Sequence, residues 1–288
     1  MKGKTVVATG ATSGIGEVAV LALARMGARI VFIARDERRA EATLKKLETR
    51  APRLGPALHL ADLSLIAETR RVGQAIAQQE PRVDVLINNA GAMFSDRRVT
   101  PEGLEMTFAL NHMAYFTLTA ALTEKLAASA PARVVSTSST AHQGMSLDFS
   151  DLQSARRYNG WQAYGRSKLA NILFTRELAR RLGGTGVTAN CFHPGFVATR
   201  FGEASGGLTS LLIPFARMFA ITADQGADTL VYLASSPDVA NASGAYFVKR
   251  QVAEPSPAAR DDSAAKRLWE ASEALAARVA SGEQIEFR

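Results

Sequence analysis

Thr9-Gly10-Ala11-Thr12-Ser13-Gly14-Ile15-Gly16 joins a short apolar run, Thr5 to Thr9, to a segment whose apolar residues Ile15, Val18, Ala19, Ala22 and Met26 recur at helical spacing until Gly27 stops it. The run reads as a buried strand and the segment as an amphipathic helix. Between them the three glycines have separate tasks: a tight turn, close approach of backbone to a pyrophosphate, and close packing of helix on strand. The unpaired N–H groups of the first helical turn then face the phosphates with partial positive charge. Gly10, Thr12, Ser13, Gly14, Ile15 and Gly16 are read as nucleotide contacts on this basis.

Working outward, the alternation of strand and helix continues. Strands are predicted at Arg29 to Ala34, Ala57 to Ala61, Val83 to Ile87, Arg133 to Ser138, Val187 to Phe192 and Gly244 to Val248. Helices are predicted at Glu37 to Arg50, Leu104 to Leu126, Trp161 to Leu182, Thr222 to Ala234 and Asp261 to Ala280. Such alternation predicts a Rossmann-type α/β fold: a doubly wound parallel sheet of about seven strands with helices on both faces. No repeat or long linker divides the chain, so residues 1–288 are expected to form one domain. Within it, 199–221 is read as a substrate lid and 254–288 as a C-terminal helical extension. Ligands of such sheets bind outside the carboxyl ends of the strands. Gly10 to Gly16, Arg35, Asp62, Asn88 to Gly91, Ser139 and Pro194 to Thr199 all follow predicted strands and are expected on one rim.

Composition narrows the class. Of 288 residues, 47% are hydrophobic and 21% charged, the balance of a chain that buries a core. The net charge of +7 is dispersed along helices, as in Arg176-Glu177-Leu178-Ala179-Arg180-Arg181, which reads as a solvated face; no nucleic-acid partner is expected. Cys191 is the single cysteine, and His59, His112, His142 and His193 show no H-x-x-x-H spacing, so neither a disulfide nor a metal site is expected. The start runs straight into a strand, and the apolar run Leu208 to Ile221 is broken by Pro214 and Arg217. The expectation is a cytoplasmic protein with no transmembrane anchor.

The second strand ends in Ala34-Arg35-Asp36, where an acidic residue would select a free ribose 2′-hydroxyl. Arg35 suits a 2′-phosphate instead, which favours NADP(H); the alternative has Arg35 stacking on adenine while Asp36 reads the ribose. Asp62, with Leu63, stands where a carboxylate meets the adenine amino group, or caps the next helix. Asn88-Asn89-Ala90-Gly91 suits either a ligand crevice or a plain turn. Asn111 in mid-helix is a mediocre helix former, which points to a task for its amide or to a surface position. Phe201, Leu208, Leu211, Leu212, Ile213, Phe215, Met218 and Phe219, with hinge-like glycines at Gly202, Gly206 and Gly207, read as a lid over an oily pocket or as core.

Tyr164 and Lys168 are spaced i and i+4, so on a helix they share one face. Ionising a tyrosine of pKa ~10 at neutral pH costs about 4 kcal/mol. A lysine cation about 5 Å away at an effective dielectric near 20 returns about 3 kcal/mol. The spacing predicts a phenol acidified by its neighbour, or else an ordinary exposed pair.

Taken together, T-G-x-x-x-G-I-G at Thr9 to Gly16, N-N-A-G at Asn88 to Gly91, Asn111, Ser139, Y-x-x-x-K at Tyr164 to Lys168 and P-G at Pro194-Gly195 resemble a short-chain dehydrogenase/reductase across about residues 4 to 250. Ser138-Ser139-Thr140-Ala141-His142, Asp151-Leu152-Gln153-Ser154, Ser167-Lys168-Leu169-Ala170-Asn171 and Arg267-Leu268-Trp269 are similar to its retinol dehydrogenase-like branch. The resemblance implies Tyr164 as general acid, Lys168 lowering its pKa and holding the nicotinamide ribose, Ser139 polarising the carbonyl, and Asn111 holding a water of a proton relay. Ser138 competes with Ser139 for that task. The same resemblance implies that Asn88, Ala90 and Gly91 flank the cofactor ribose, that Pro194 and Gly195 line the cofactor, and that Val197 and Thr199 meet the carboxamide. It further implies a homodimer or homotetramer formed through the helices Leu104 to Leu126 and Trp161 to Leu182. Retinol dehydrogenases often carry an N-terminal membrane anchor that is not seen here. The expected activity is NADPH-dependent reduction of a small apolar aldehyde or ketone; the alternative is a non-catalytic NADP(H)-binding module that senses redox state.

Overall fold

The computed structural model describes residues 1–195 and 222–283. The expected lid at 199–221, the cofactor contacts Val197 and Thr199, and the end of the C-terminal extension at 284–288 lie outside the described residues. The described chain forms one eight-stranded sheet in the order β3-β2-β1-β4-β5-β6-β7-β8. Its strands are β1 (Thr5–Thr9), β2 (Arg29–Ala34), β3 (Ala57–Leu60), β4 (Val85–Asn88), β5 (Ala132–Thr137), β6 (Val187–His193), β7 (Tyr246–Val248) and β8 (Gln251–Ala253). The first seven are parallel; β8 turns back antiparallel on β7. Helices α1 (Gly14–Arg25), α2 (Glu37–Arg50) and α7 (Ala223–Ser235) pack on one face. On the other lie α3 (Ile66–Gln79), α5 (Ala114–Ala128), α6 (Gly160–Arg181) and α8 (Asp262–Ala280). Every residue of β1 and β4 is buried, because both sheet faces are covered; this is why those strands read as unbroken apolar runs. The strand order reverses between β1 and β4, so the crevice beyond their carboxyl ends is the natural ligand site.

Three features depart from the sequence reading. The eighth strand follows a two-residue turn at Lys249 and Arg250, both at positive φ (50° and 64°), where Asn-Gly would have announced a hairpin. Arg250 is held there by its backbone N–H donating to Thr229 Oγ1 at 3.1 Å and by its side chain on Asp228. The predicted single helix Leu104 to Leu126 is instead a short turn α4 (Met106–Phe108), a π-helical turn (Ala109–Met113) and α5. The widened turn carries Asn111, and such turns concentrate at functional sites.

The third concerns self-association. α6, one of the two helices expected to pair copies of the chain, packs against α8 of the same chain, which also meets Phe116 at the start of α5. Trp269 meets Phe116 edge-on at 5.0 Å and stacks on Phe174 at 5.9 Å, with the Arg181 guanidinium 4.4 Å above it. His112 Nε2 lies 2.9 Å from Ser272 Oγ, and Arg70 donates to Ala276 O at 2.8 Å. Trp269→Ala is expected to lower stability by about 2 kcal/mol, less than a fully buried tryptophan would because this one is half-buried; denaturant unfolding measures it. Among the described residues no helix is long and apolar enough to cross a membrane.

Candidate active site

The glycine loop leaves β1 with Gly10 at φ 64° and Gly14 at φ 55°, both in the region that favours glycine. A Cβ on Gly16 would lie 2.0 Å from Gly10 O, and one on Gly10 would lie 2.8 Å from Ala90 N. The start of α1 is thereby pressed against the loop that follows β4. Ser13 precedes α1 in extended conformation and makes no side-chain cap, so the first-turn N–H groups are left to an external acceptor. Thr9 Oγ1 accepts from the backbone N–H of Asn89 (2.9 Å) and Ala90 (3.1 Å). Asn89 Nδ2 donates to Gly10 O, and Asn89 Oδ1 accepts from Thr137 Oγ1. The loops beyond β1, β4 and β5 are thus one hydrogen-bonded unit, a cradle whose exposed backbone donors fit a dinucleotide. Asn89 entered the sequence reading only as part of the Asn88 to Gly91 run, and Thr137 was given no task; the signal for both was position at a strand's carboxyl end.

Asn88 turns its side chain the other way. It is fully buried, with its amide donating to Thr119 Oγ1 of α5 at 3.0 Å, so its side chain ties the sheet to a helix and does not reach the crevice. Ala90 lies against Gly10, and Gly91 is exposed beside Asn111. Leu63 is largely buried beside Asp62. Asp62 Oδ1 accepts from Ser64, while Oδ2 lies 3.8 Å from Arg35, whose side chain is 71% exposed at the end of β2. Asp36 caps α2 by accepting from Arg39 N–H, so its carboxylate is already engaged away from a ribose.

The carbonyl-facing groups converge from β5 and α6. Ser138 Oγ is buried and donates to Lys168 O at 2.8 Å, which removes it as the reacting hydroxyl. Ser139 Oγ accepts from Ala141 N–H and hydrogen-bonds with the phenol of Tyr164. Lys168 Nζ donates to Thr137 O at 3.2 Å, and Asn171 Nδ2 to the same carbonyl at 3.1 Å. A Cβ on Gly91 would lie 3.4 Å from Lys168 Nζ, so a glycine there lets the loop close on the lysine. Pro194 and Gly195 follow β6, the next strand along the sheet, with Gly195 at φ 96°.

The acidified phenol expected from the i, i+4 spacing is not what the geometry produces. Lys168 Nζ sits over the rings of Tyr164 (5.5 Å to the centroid) and Tyr115 (5.9 Å). Burial raises the Tyr164 pKa well above the ordinary tyrosine range, and the Ser139 hydrogen bond offsets this only in part. Burial likewise brings Lys168 down to about 7. Loss of water around both charged forms outweighs the attraction that spacing alone suggested.

Asn111 Oδ1 accepts from Ala92 N–H (2.8 Å), and Nδ2 donates to Ala92 O and Ser167 Oγ (both 2.9 Å). Both amide hydrogens are spent on clamping α6 to the loop after Gly91. The water-holding task expected of it does not fall to those donors; Asn111 fixes the distance between the cradle and Lys168. Trp161, 56% exposed with its ring 6.3 Å from that of Tyr164, adds an apolar wall that the sequence reading took only for the start of a helix.

The model of a family described as short chain dehydrogenase matches residues 4–206. The chain is 42% identical over 289 residues to Retinol dehydrogenase 14 of Mus musculus, covering 96% of this chain and 86% of that protein. An uncharacterised protein from Mycobacterium Paratuberculosis of known structure matches with TM-score 0.77 and 34% identity over 96% of this chain and 94% of its own. A short chain dehydrogenase from Burkholderia cenocepacia J2315 in complex with NADP matches with TM-score 0.68 and 26% identity, covering 85% and 96%.

Proposed function

This chain belongs to the short-chain dehydrogenase family and is an oxidoreductase, and from that premise we propose that it uses NADPH to reduce the carbonyl of an apolar aldehyde or ketone. The observation that carries the reading is the meeting of Tyr164, Ser139 and Lys168 beside the glycine cradle, on the rim where a parallel sheet binds its ligand. When bound, the nicotinamide supplies the hydride. Tyr164 donates its phenolic proton to the carbonyl oxygen, and a phenol kept protonated by burial is suited to that direction. Ser139 hydrogen-bonds the same oxygen as negative charge develops. Lys168, anchored on Thr137 O, holds the ribose and stands ready to return a proton to Tyr164. Its pKa near 7 lets it exchange that proton at neutral pH. Trp161 beside Tyr164 supports an apolar substrate, as does the similarity to retinol dehydrogenases.

Arg35 and the engagement of Asp36 as a helix cap support a 2′-phosphate over a free ribose, and the NADP complex of the Burkholderia protein accords with it. Oxidation of NADPH, followed by absorbance against a panel of aldehydes, tests the activity. Arg35→Ala is expected to cost NADPH about tenfold in KM, the worth of one charged hydrogen bond at an exposed site, while leaving NADH unchanged. An unaltered NADPH to NADH ratio would refute the phosphate assignment.

A further inference from the structure

His142 lies at the end of the 3₁₀ turn Thr140–His142 that begins at Ser139, and it is fully buried. Its ring is held at both nitrogens. Nδ1 is 2.6 Å from Ser139 O, and Nε2 accepts from the backbone N–H of Ser256 at 3.1 Å. A backbone N–H can only donate, so Nε2 carries the lone pair and Nδ1 the proton. The imidazole is therefore a neutral, single-tautomer bridge. Ser139 O receives a second bond from the His142 backbone N–H at 3.2 Å, while Ser139 Oγ accepts from Ala141 N–H. Carbonyl and hydroxyl of Ser139 are thereby fixed together. Tyr246 packs edge-on against the imidazole at 5.3 Å and closes its remaining side.

We propose that His142 is a positioning residue for the Ser139 hydroxyl, and that through it the backbone of Ser256, 114 residues further along the chain, sets the geometry at the reacting carbonyl oxygen. This rests on the reading of Ser139 as the group that polarises the carbonyl. The C-terminal extension then serves the chemistry as well as packing on α6. Ser256 lies between Pro255 and Pro257, its carbonyl accepts from Ala259 N–H, and its own φ of −56° already matches proline.

That backbone angle supplies a clean test. Ser256→Pro suits that backbone angle but replaces the N–H with a Cδ that stands against His142 Nε2, so the bond is lost and the ring must give up its place, whereas Ser256→Ala keeps the N–H. With NADPH and decanal, Ser256→Pro is expected to lower kcat about tenfold, as a small misplacement of a catalytic group does. The Kd for NADPH, read by fluorescence titration, stays within twofold, and Ser256→Ala behaves as wild type. His142→Asn retains a donor near Nδ1 and loses the link to Ser256 together with the ring that meets Tyr246. It should match Ser256→Pro, and the double variant should be no slower than either single one. Nitrogen-15 NMR of labelled histidine is expected to show His142 protonated at Nδ1 in wild type and freed from that single tautomer in Ser256→Pro. Wild-type kcat in Ser256→Pro, losses that multiply in the double variant, or an Nε2–H tautomer in wild type would each overturn the proposal. If wild-type protein binds NADPH but turns over no aldehyde of the panel, the reductase reading falls and the positioning role with it; turnover that Ser256→Pro leaves unchanged overturns the positioning role alone.

Discussion

Tyr164→Phe is expected to lower aldehyde-dependent NADPH oxidation by a factor of about 10² to 10⁴, the usual contribution of a positioned general acid. The substitution removes one oxygen and keeps the ring that packs beside Trp161 and beneath Lys168 Nζ. Folding and cofactor affinity are expected to stay close to wild type, so the loss falls on kcat. The phenol is buried and its proton is the one that the carbonyl would receive, with Ser139 bonded to the same oxygen. Steady-state rates together with NADPH titration of the variant decide the matter. A variant that binds NADPH and turns over at the wild-type rate would transfer the proton to another donor and end the assignment of Tyr164.

Gly16→Ala should act at the opposite end of the site and on binding. The added Cβ would stand 2.0 Å from Gly10 O and 2.6 Å from Asn89 Nδ2. Neither neighbour has room to yield, because Gly10 is itself pressed on Ala90 and Asn89 is bonded to both Gly10 O and Thr137 Oγ1. Relief requires α1 to move away from the loop, which carries its N–H groups out of reach of a pyrophosphate. Overpacking of this kind costs about 1–3 kcal/mol, so NADPH affinity is expected to fall by roughly tenfold to a hundredfold, with a lower Tm. Calorimetric titration and a thermal melt measure both. Unchanged affinity would mean that the cradle between β1 and β4 is not the phosphate site.

Much of the fold was legible because its signals are local. A parallel strand covered on both faces is apolar at its centre, and Val6 to Ala8 of β1, Val85 to Ile87 of β4 and Val134-Val135 of β5 advertise themselves in that way. Helix α7 begins at a Thr222–Gln225 capping box and α6 at an Asn159 cap, within a residue or so of where pattern placed them. β8 was illegible because Lys249 and Arg250 carry no turn chemistry of their own; their conformation is held by Thr229 and Asp228 on a different helix. Residue type did not separate Ser138 from Ser139; the resemblance favoured Ser139, and the physical difference is that the Ser138 hydroxyl faces Lys168 O of α6. Asn88 and Asn89 show the same limit. Asn88 is the last residue of β4 and points to α5, while Asn89 has left the strand and joins the loops beyond β1 and β5, a boundary set by how far β4 pairs with its neighbours.

From its sequence alone this protein is determined to be a doubly wound α/β chain with a glycine cradle after β1 and a phenol one helical turn from a lysine, because each of these follows from residue type and spacing along a few consecutive positions. Only the tertiary structure decided that burial pushes Tyr164 up and Lys168 down, that α8 packs on α6, and that His142 links Ser139 to Ser256. The reason is common to all three. Desolvation, coverage of a helix face and a hydrogen bond across more than a hundred residues are set by what distant segments bring against a site, and that depends on how the chain packs.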